Sequence, residues 1–241
     1  MSLRNIVIYV LVISLLIMTI GKAPNKNNFT SSSREDFLNQ KDEIIEDATA
    51  YLESCQRENG SYDYPSNINT TAEACAVLDE FSDVDTTESK NWLESNIGDR
   101  NTDILSRTAI ALDDDSLIDE MMEVQNTDGG LGLSGDYTSD ILDSVLALES
   151  INASSSAEVS SARWQLLCYI ARQMNSDGSF SYTKNSDSDV ALSAMALYTV
   201  SKYPDDNNLQ SGITSNMRDK TGDYISNNFD DSFPEETNKI T

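Results

Sequence analysis

Residues 125–151 read QNTDGGLGLSGDYTSDILDSVLALESI, and residues 173–200 read QMNSDGSFSYTKNSDSDVALSAMALYTV. Laid over each other, the two strings share a glutamine, an Asp-Gly turn, a polar loop and a Ser-Asp pair that opens an apolar run. They recur at a period of about 48 residues, and a period of that length is the mark of a repeat architecture. An earlier copy, QRENGSYDYPSNINTTAEACAVL, spans residues 56–78 and keeps the Gly60 turn. A fourth, TDILSRTAIAL from Thr102, has lost its glycine turn.

Each copy has one grammar: a helix ending in Gln, a turn, a polar loop and a capped second helix. Gly60, Gly129 and Gly178 suit the positive φ of such turns, which costs glycine nothing because it has no Cβ. Ser139-Asp140, Ser188-Asp189 and Thr102-Asp103 offer side-chain acceptors to the free amides of the following helix. Asp103, Asp140 and Asp189 are therefore read as structural caps. The first helix of each pair carries a single apolar stripe, as in Ala48, Leu52 and Cys55 or Leu166, Ile170 and Met174. The second is apolar almost all round over 140–151 and 189–200, so neighbours must bury it on several sides. Half-exposed outer helices alternating with buried inner ones, joined as antiparallel hairpins, make a solenoid or a toroid.

The pattern predicts outer helices over 34–56, 87–96, 115–125 and 157–174, and inner ones over 71–81, 103–112, 140–151 and 189–203. The fold class is all-α: a partial α/α toroid of about four hairpins in two concentric layers. The tail, residues 204–241, carries Gly222-Asp223-Tyr224 and then Pro234-Glu235-Glu236-Thr237, which read as the turn and cap of an incomplete further repeat.

Ahead of the repeats, Arg4 precedes an uncharged, largely apolar stretch that Lys22 closes. Residues 1–23 read as a signal peptide or a signal-anchor, the alternatives left open by a short span and by Pro24 after the candidate cleavage point. Either way the positive end stays in the cytoplasm and the rest of the chain goes outside, secreted or anchored at the cell surface. Residues 24–33 read as a flexible linker, and residues 34–203 as the repeat domain.

The chain has 16 basic and 41 acidic side chains, a net charge of −25 and no His. Without clustered Lys and Arg it has no surface to release counterions from a nucleic acid, and membrane contact is expected only through the N-terminal segment. An acidic excess of this size fits a halophilic source or an ordinary acidic secreted protein. The absence of His removes the usual general base and the commonest zinc ligand. Cys55, Cys75 and Cys168 have no metal-ligand spacing; a Cys55–Cys75 disulfide and plain buried thiols both remain open.

The sequence of Gln, three or four residues, Gly-x-aromatic and a capped Ala/Leu-rich helix resembles the α/α-toroid repeat of the prenyltransferase, squalene cyclase and terpene cyclase superfamily, over roughly residues 34–203. The positions that carry an aromatic there are Tyr62, Leu131 and Phe180 here. The resemblance implies the toroid; it implies an activity only where the family's sites are present. The zinc site of the prenyltransferases needs a His. The Asp-x-Asp-Asp acid motif of the cyclases has its nearest match in Asp187-Ser188-Asp189-Val190, where the last acid is Val. Asp187 and Asp189 are the catalytic candidates by resemblance alone. The inner helices are poor in the aromatic faces that line a cation-stabilising chamber: Trp92 and Trp164 fall on outer helices, leaving mainly Phe81, Tyr198 and Tyr203.

Other motifs resolve into structure. The turns at Asn126 and Asn175 resemble part of a calcium loop, but Gly135 and Lys184 stand where its bidentate Glu would be. The run Asp113-Asp114-Asp115 reads as a solvated interhelical turn. Sequons at Asn28, Asn59, Asn69 and Asn152 fall in predicted loops or the linker, a placement compatible with glycosylation. No Ser sits in a Ser-x-x-Lys context, so no nucleophile and base pair up. The expectation is an exported, non-catalytic binding or scaffold domain without metal or cofactor, whose partner is an unidentified protein or small molecule. With about four hairpins the ring is expected to stay an open crescent, or to be completed by a second copy as a homodimer. The alternatives are a diverged terpene-cyclase-like or prenyltransferase-like enzyme acting on an isoprenoid, and a truncated fragment.

Overall fold

The computed structural model describes residues 45–62, 67–154, 160–184, 186–203 and 208–228. The leader, the linker with Asn28, the start of the first outer helix and residues 234–237 lie outside them. The helices are α1 (residues 45–54), α2 (Ile68–Phe81), α3 (Thr87–Asn96), α4 (Thr102–Leu112), α5 (Asp115–Met122), α6 (Ile141–Ala153), α7 (Ser160–Gln173), α8 (Val190–Ser201) and α9 (Asn208–Asn228). Among the described residues there is no strand, only two isolated antiparallel bridges, Leu131 to Asp140 and Phe180 to Asp189.

The even-numbered helices to α8 form the inner layer, packing α2 on α4, α4 on α6 and α6 on α8. Each following odd helix lies outside the inner helix it follows: α3 on α2, α5 on α4, α7 on α6 and α9 on α8. The main core lies between the layers and includes Val145, Leu148, Leu166, Ile170 and Leu192. A smaller cluster seats Leu52 of α1 against Tyr62, Ala74 and Leu78. This is the two-layered all-α toroid that the periodicity predicts.

The glycine turns set its register. Gly60, Gly129 and Gly178 have φ of 84, 86 and 89°. In each, the glycine N–H donates to the carbonyl three residues back, of Arg57, Asn126 and Asn175. The residue after the first aligned glycine then returns: Ser61, Gly130 and Ser179 accept from the N–H of Arg57, Asn126 and Asn175. Side-chain oxygens of Asn59, Asp128 and Asp177 accept the N–H two residues on. The chain is thereby turned so that Tyr62, Leu131 and Phe180 enter the core fully buried, each worth roughly 2–3 kcal/mol of burial. Their N–H groups donate to Thr71 Oγ1, Ser144 Oγ and Ser193 Oγ on the inner helix that follows.

Capping follows the expected pattern with one correction. Asp140 accepts from the Asp143 N–H and Asp189 from the Leu192 N–H, and Asn67 caps α2. On α4 the cap is Asn101, not Asp103: Asn101 is extended and accepts from the Ile104 N–H, whereas Asp103 is already the second residue of the helix. Asp113 has left-handed φ at the end of α4 and Asp114 caps α5, so the acidic run is the interhelical turn expected. One further expectation fails, and one open alternative is resolved. Gly222-Asp223-Tyr224 lies within α9, where Tyr224 and Ile225 pack on Ala194 and Leu197. The three cysteines are free thiols; Cys75 is buried near Leu93 and Ala111, while Cys55 packs beside Tyr62.

The turn glycines also join neighbouring repeats. A Cβ on Gly60 would stand 2.3 Å from the Glu88 carbonyl of α3, one on Gly129 2.9 Å from the Gln165 carbonyl of α7, and one on Gly178 2.3 Å from the Lys220 carbonyl of α9. By this criterion α9 is the outer helix of a fifth repeat. Gly178→Ala is expected to destabilise the fold by more than about 1 kcal/mol, from strain at positive φ together with the clash. Gly98→Ala, whose Cβ would make only an ordinary 3.9 Å contact with the Asn96 carbonyl, should be close to neutral; urea unfolding of the two variants checks the contrast.

Candidate functional site

Although the inner helices are mostly buried, each keeps a stripe turned away from the outer layer. On α2 it runs Asn69, Glu73, Ala76 and Glu80; on α4 Asp103, Arg107 and Ile110; on α8 Ala191, Met195, Tyr198 and Lys202. The spacing of four, three and four is one face of a helix. On α6 this face carries Leu142, Asp143 and Glu149. Charged side chains of all the inner helices therefore converge on the ring axis.

They form two tiers. In the first, at the helix N-termini, Arg107 Nε donates to Asp103 Oδ1 at 2.7 Å and its Nη1 pairs with Glu73. The Asn69 amide donates to the other Asp103 oxygen, leaving Asn69 Oδ1 buried without a partner. Asp143, only 5% exposed, is pushed up to about 8, first by burial, then by the hydrogen bond and charge of Asp140 and by the charge of Asp103. Burial and the Asp140 charge also raise Asp103, against the opposing effect of its Asn69 bond. Burial and the Asp140 carboxylate thus favour the protonated form of Asp143, while Arg107 balances the carboxylates beside it.

The second tier lies at the C-terminal ends. The Tyr198 hydroxyl donates to Glu80 Oε2 at 3.2 Å. Lys202 Nζ stands 4.0 Å from the Tyr198 ring centroid and 3.8 Å from Glu80 Oε1. Glu149 is held above the usual carboxylate range, chiefly by burial, with Lys202, Arg107 and Glu80 as its charged neighbours. Those three side chains come from α8, α4 and α2, which places the Glu149 carboxyl on the axis. Through Glu80, side chains of the first and last inner helices come together, 118 residues apart in sequence.

The residues singled out from sequence lie elsewhere. Asp187 is exposed in the loop before α8, and Asp189 is the α8 cap, paired through its backbone with Phe180. Neither reaches the axis. Asp103 does, as part of the ion-paired tier, and Asp140 does through Asp143. Two sequons are in helices, not loops: Asn69 near the start of α2, and Asn152 in α6 with its amide donating to the Thr199 carbonyl at 3.0 Å. Asn59 is exposed in the Gly60 turn. No group of three or more Cys, Asp or Glu among the described residues is placed to hold a metal ion. No helix of the described residues is long and apolar enough to cross a membrane.

Sequence reasoning treated Asp143, Glu149, Glu73 and Arg107 as ordinary helix residues. The signal was present: Asp143 and Glu149 interrupt the otherwise apolar run of α6, and a charge in a buried helix needs a partner or a cavity.

No protein-family model matches the chain, and no curated protein matches its sequence. Solved structures do match. The apo form of the type II terpene cyclase MstE from Scytonema superposes with a TM-score of 0.60 at 14% identity, over 90% of this chain and 67% of that one. A variant of that enzyme in complex with its product, merosterolic acid A, gives 0.60 at 13%, over 90% and 69%. A variant in complex with its substrate, geranylgeranyl dihydroxybenzoate, gives 0.59 at 12%, over 90% and 67%. At this identity the likeness is one of fold: the α/α toroid seen in that cyclase.

The Asp143 shift has a definite sign in stability. Between the ordinary Asp range and about pH 8, the native carboxyl holds a proton that the unfolded chain has lost. Native protein binds more protons there, so stability falls as pH rises through that window and levels off above it. Asp143→Asn, which keeps a donor for Asp140, is expected to remove this segment and to gain stability relative to the parent as pH goes from 5 to 8. Urea titrations at the two pH values measure it. For glycans the expectation is site-selective: a chain carried through a eukaryotic secretory pathway should carry one at Asn59 and none at Asn69 or Asn152, read by glycopeptide mass spectrometry.

Proposed function

We propose that this chain is a non-catalytic binding domain, exported or displayed at the cell surface, that takes its ligand along the polar axis of the inner helices. The observation that carries this reading is the character of the axis. The inner helices meet there through charged and polar side chains: Arg107 with Glu73 and Asp103, Asn69 with Asp103, and Tyr198 with Glu80. The lining supports the same reading: Glu73, Asp103, Arg107, Asp143, Glu149 and Glu80 replace the apolar and aromatic wall that shelters a carbocation.

One feature favours the cyclase-like alternative. Asp143 is a buried acid whose surroundings favour its protonated form, the direction needed to protonate an olefin. The two readings separate in one assay. Full-length protein incubated with geranylgeranyl dihydroxybenzoate is expected to return it unchanged by chromatography and mass spectrometry. A cyclised product that disappears in Asp143→Asn would overturn the binding reading in favour of the enzyme.

A further inference from the structure

On the outer rim, an open groove of about 340 Å³ runs between the Gly60 turn and α3, and one of about 380 Å³ between the Gly129 turn and α7. Each groove holds one of the two tryptophans of the chain, Trp92 or Trp164. Gly60 rests on Glu88 and Gly129 on Gln165, and seven residues beyond those contacts the two helices differ. There α7 carries Arg172, whose Nη2 donates to the Asp128 carbonyl at 2.6 Å and ties the turn to the helix. At the same place α3 carries Ser95, whose hydroxyl donates to the Asn91 carbonyl of its own helix.

The groove at the Gly60 turn is lined by Asn59 and, from one face of α3, by Asn91, Trp92, Ser95 and Asn96. Asn59 accepts the N–H two residues on, the part that Asp128 and Asp177 play in the later repeats. Its Oδ1 also accepts from the Ser61 hydroxyl at 2.8 Å. With both bonds on Oδ1, the amide nitrogen Nδ2 points away from the turn and has no protein acceptor among the described residues. Where the later repeats have a second carboxylate oxygen, this one has the nitrogen to which an N-linked sugar is joined, within an Asn-Gly-Ser sequon. Trp92 is half-buried against the cluster of Leu93 and Ala111, and the rest of its indole lines the groove. The C–H face of a sugar ring is drawn to the negative face of an aromatic ring. Asn96 donates its amide to the Trp92 carbonyl, which leaves its Oδ1 for a sugar hydroxyl or acetamide N–H.

We propose that Asn59 carries an N-linked glycan whose first sugar seats in this groove against Trp92 and Asn96, tying the Gly60 turn to α3 as Arg172 ties the Gly129 turn to α7. Attachment forms the bond from Nδ2 to the anomeric carbon of a lipid-diphosphate-linked oligosaccharide, breaks that carbon's bond to the diphosphate, which leaves, and releases one amide proton. The inference rests on the reading of the chain as exported; it adds a covalent ligand and gives it a role. Because the sugar is tethered at the edge of its own site, its effective concentration is high and a shallow groove is enough.

The test is expression of the full chain under its own leader in a eukaryotic host, with Asn59 occupancy read by glycopeptide mass spectrometry and stability by thermal unfolding. Asn59→Asp removes the glycan and keeps the acceptor of the turn, as Asp128 and Asp177 show. Both proteins made without glycans in the bacterial cytoplasm give the baseline. The exported parent is expected to melt about 2–4 °C above exported Asn59→Asp, beyond any baseline difference, the shift that a modest added contact makes in a chain of this size. In Trp92→Leu, which keeps an apolar side chain without a ring face, the gap should return to the baseline. A chain that stays in the cytoplasm without glycan would overturn the export reading and this inference with it. An exported chain with Asn59 bare would overturn this inference alone. Occupancy with no gap in the parent, or with the same gap in Trp92→Leu, would overturn the seating on Trp92.

Discussion

The architecture depends on three places where backbone meets backbone with no room for a side chain. Gly60, Gly129 and Gly178 rest on the carbonyls of Glu88, Gln165 and Lys220, each on the outer helix of the next repeat. The left-handed φ that glycine tolerates makes the turn, and its missing Cβ lets the next repeat dock on it. One residue thus fixes both the local chain reversal and the repeat-to-repeat spacing. The buried Tyr62, Leu131 and Phe180 follow from the direction the turn imposes, and the hydroxyls of Thr71, Ser144 and Ser193 secure them to the inner layer. The α4 repeat, without such a turn, is tied differently: Thr102 donates its N–H to the Leu133 carbonyl and its hydroxyl to that of Gly132.

With 16 basic side chains against 41 acidic ones, where each cation is placed matters. Arg163 reaches the Ile151 and Ser154 carbonyls at the end of α6, and Arg172 the Asp128 carbonyl of the Gly129 turn. Arg107 and Lys202 serve the axis. A helix N-terminus favours a carboxylate by about 0.3–1 kcal/mol, which suits the caps Asp140 and Asp189. At Asp143 that benefit is overridden, because burial and the Asp140 charge act together and each can exceed the dipole.

The fold was legible because its determinants are local. Asp-Gly turns, Ser-Asp caps and the two kinds of helix lie within single repeats, and α3 begins and ends where periodicity places it. The errors have physical origins as well. Gly222 reads as a turn residue from its neighbours, but the Tyr224 and Ile225 contacts with α8 hold the chain helical through it. Thr102-Asp103 mimics the Ser-Asp caps, while the extended backbone that a cap needs falls at Asn101. The site was far less legible. Asn69 meets Asp103, Glu73 meets Arg107, and Tyr198 meets Glu80 only once separate repeats are packed in a ring. The resemblance points to Asp187 and Asp189, a loop residue and a cap, of which Asp189 alone has a place in the turn-and-cap pattern.

The direction of the inner helices gives the axis a polarity that the list of charges does not. Every inner helix is followed by an outer one that returns, so the inner helices run the same way, as the Asn69–Asp103 contact at one end and the Glu80–Tyr198 contact at the other require. Their macrodipoles add, with roughly half a positive charge per helix at the first tier and half a negative charge at the second. The first tier answers with Asp103, Asp140 and Asp143, and there Arg107 and the Asp143 proton restore balance. At the second tier the helix ends and the carboxylates Glu80 and Glu149 have the same sign, and Lys202 is the cation set against them.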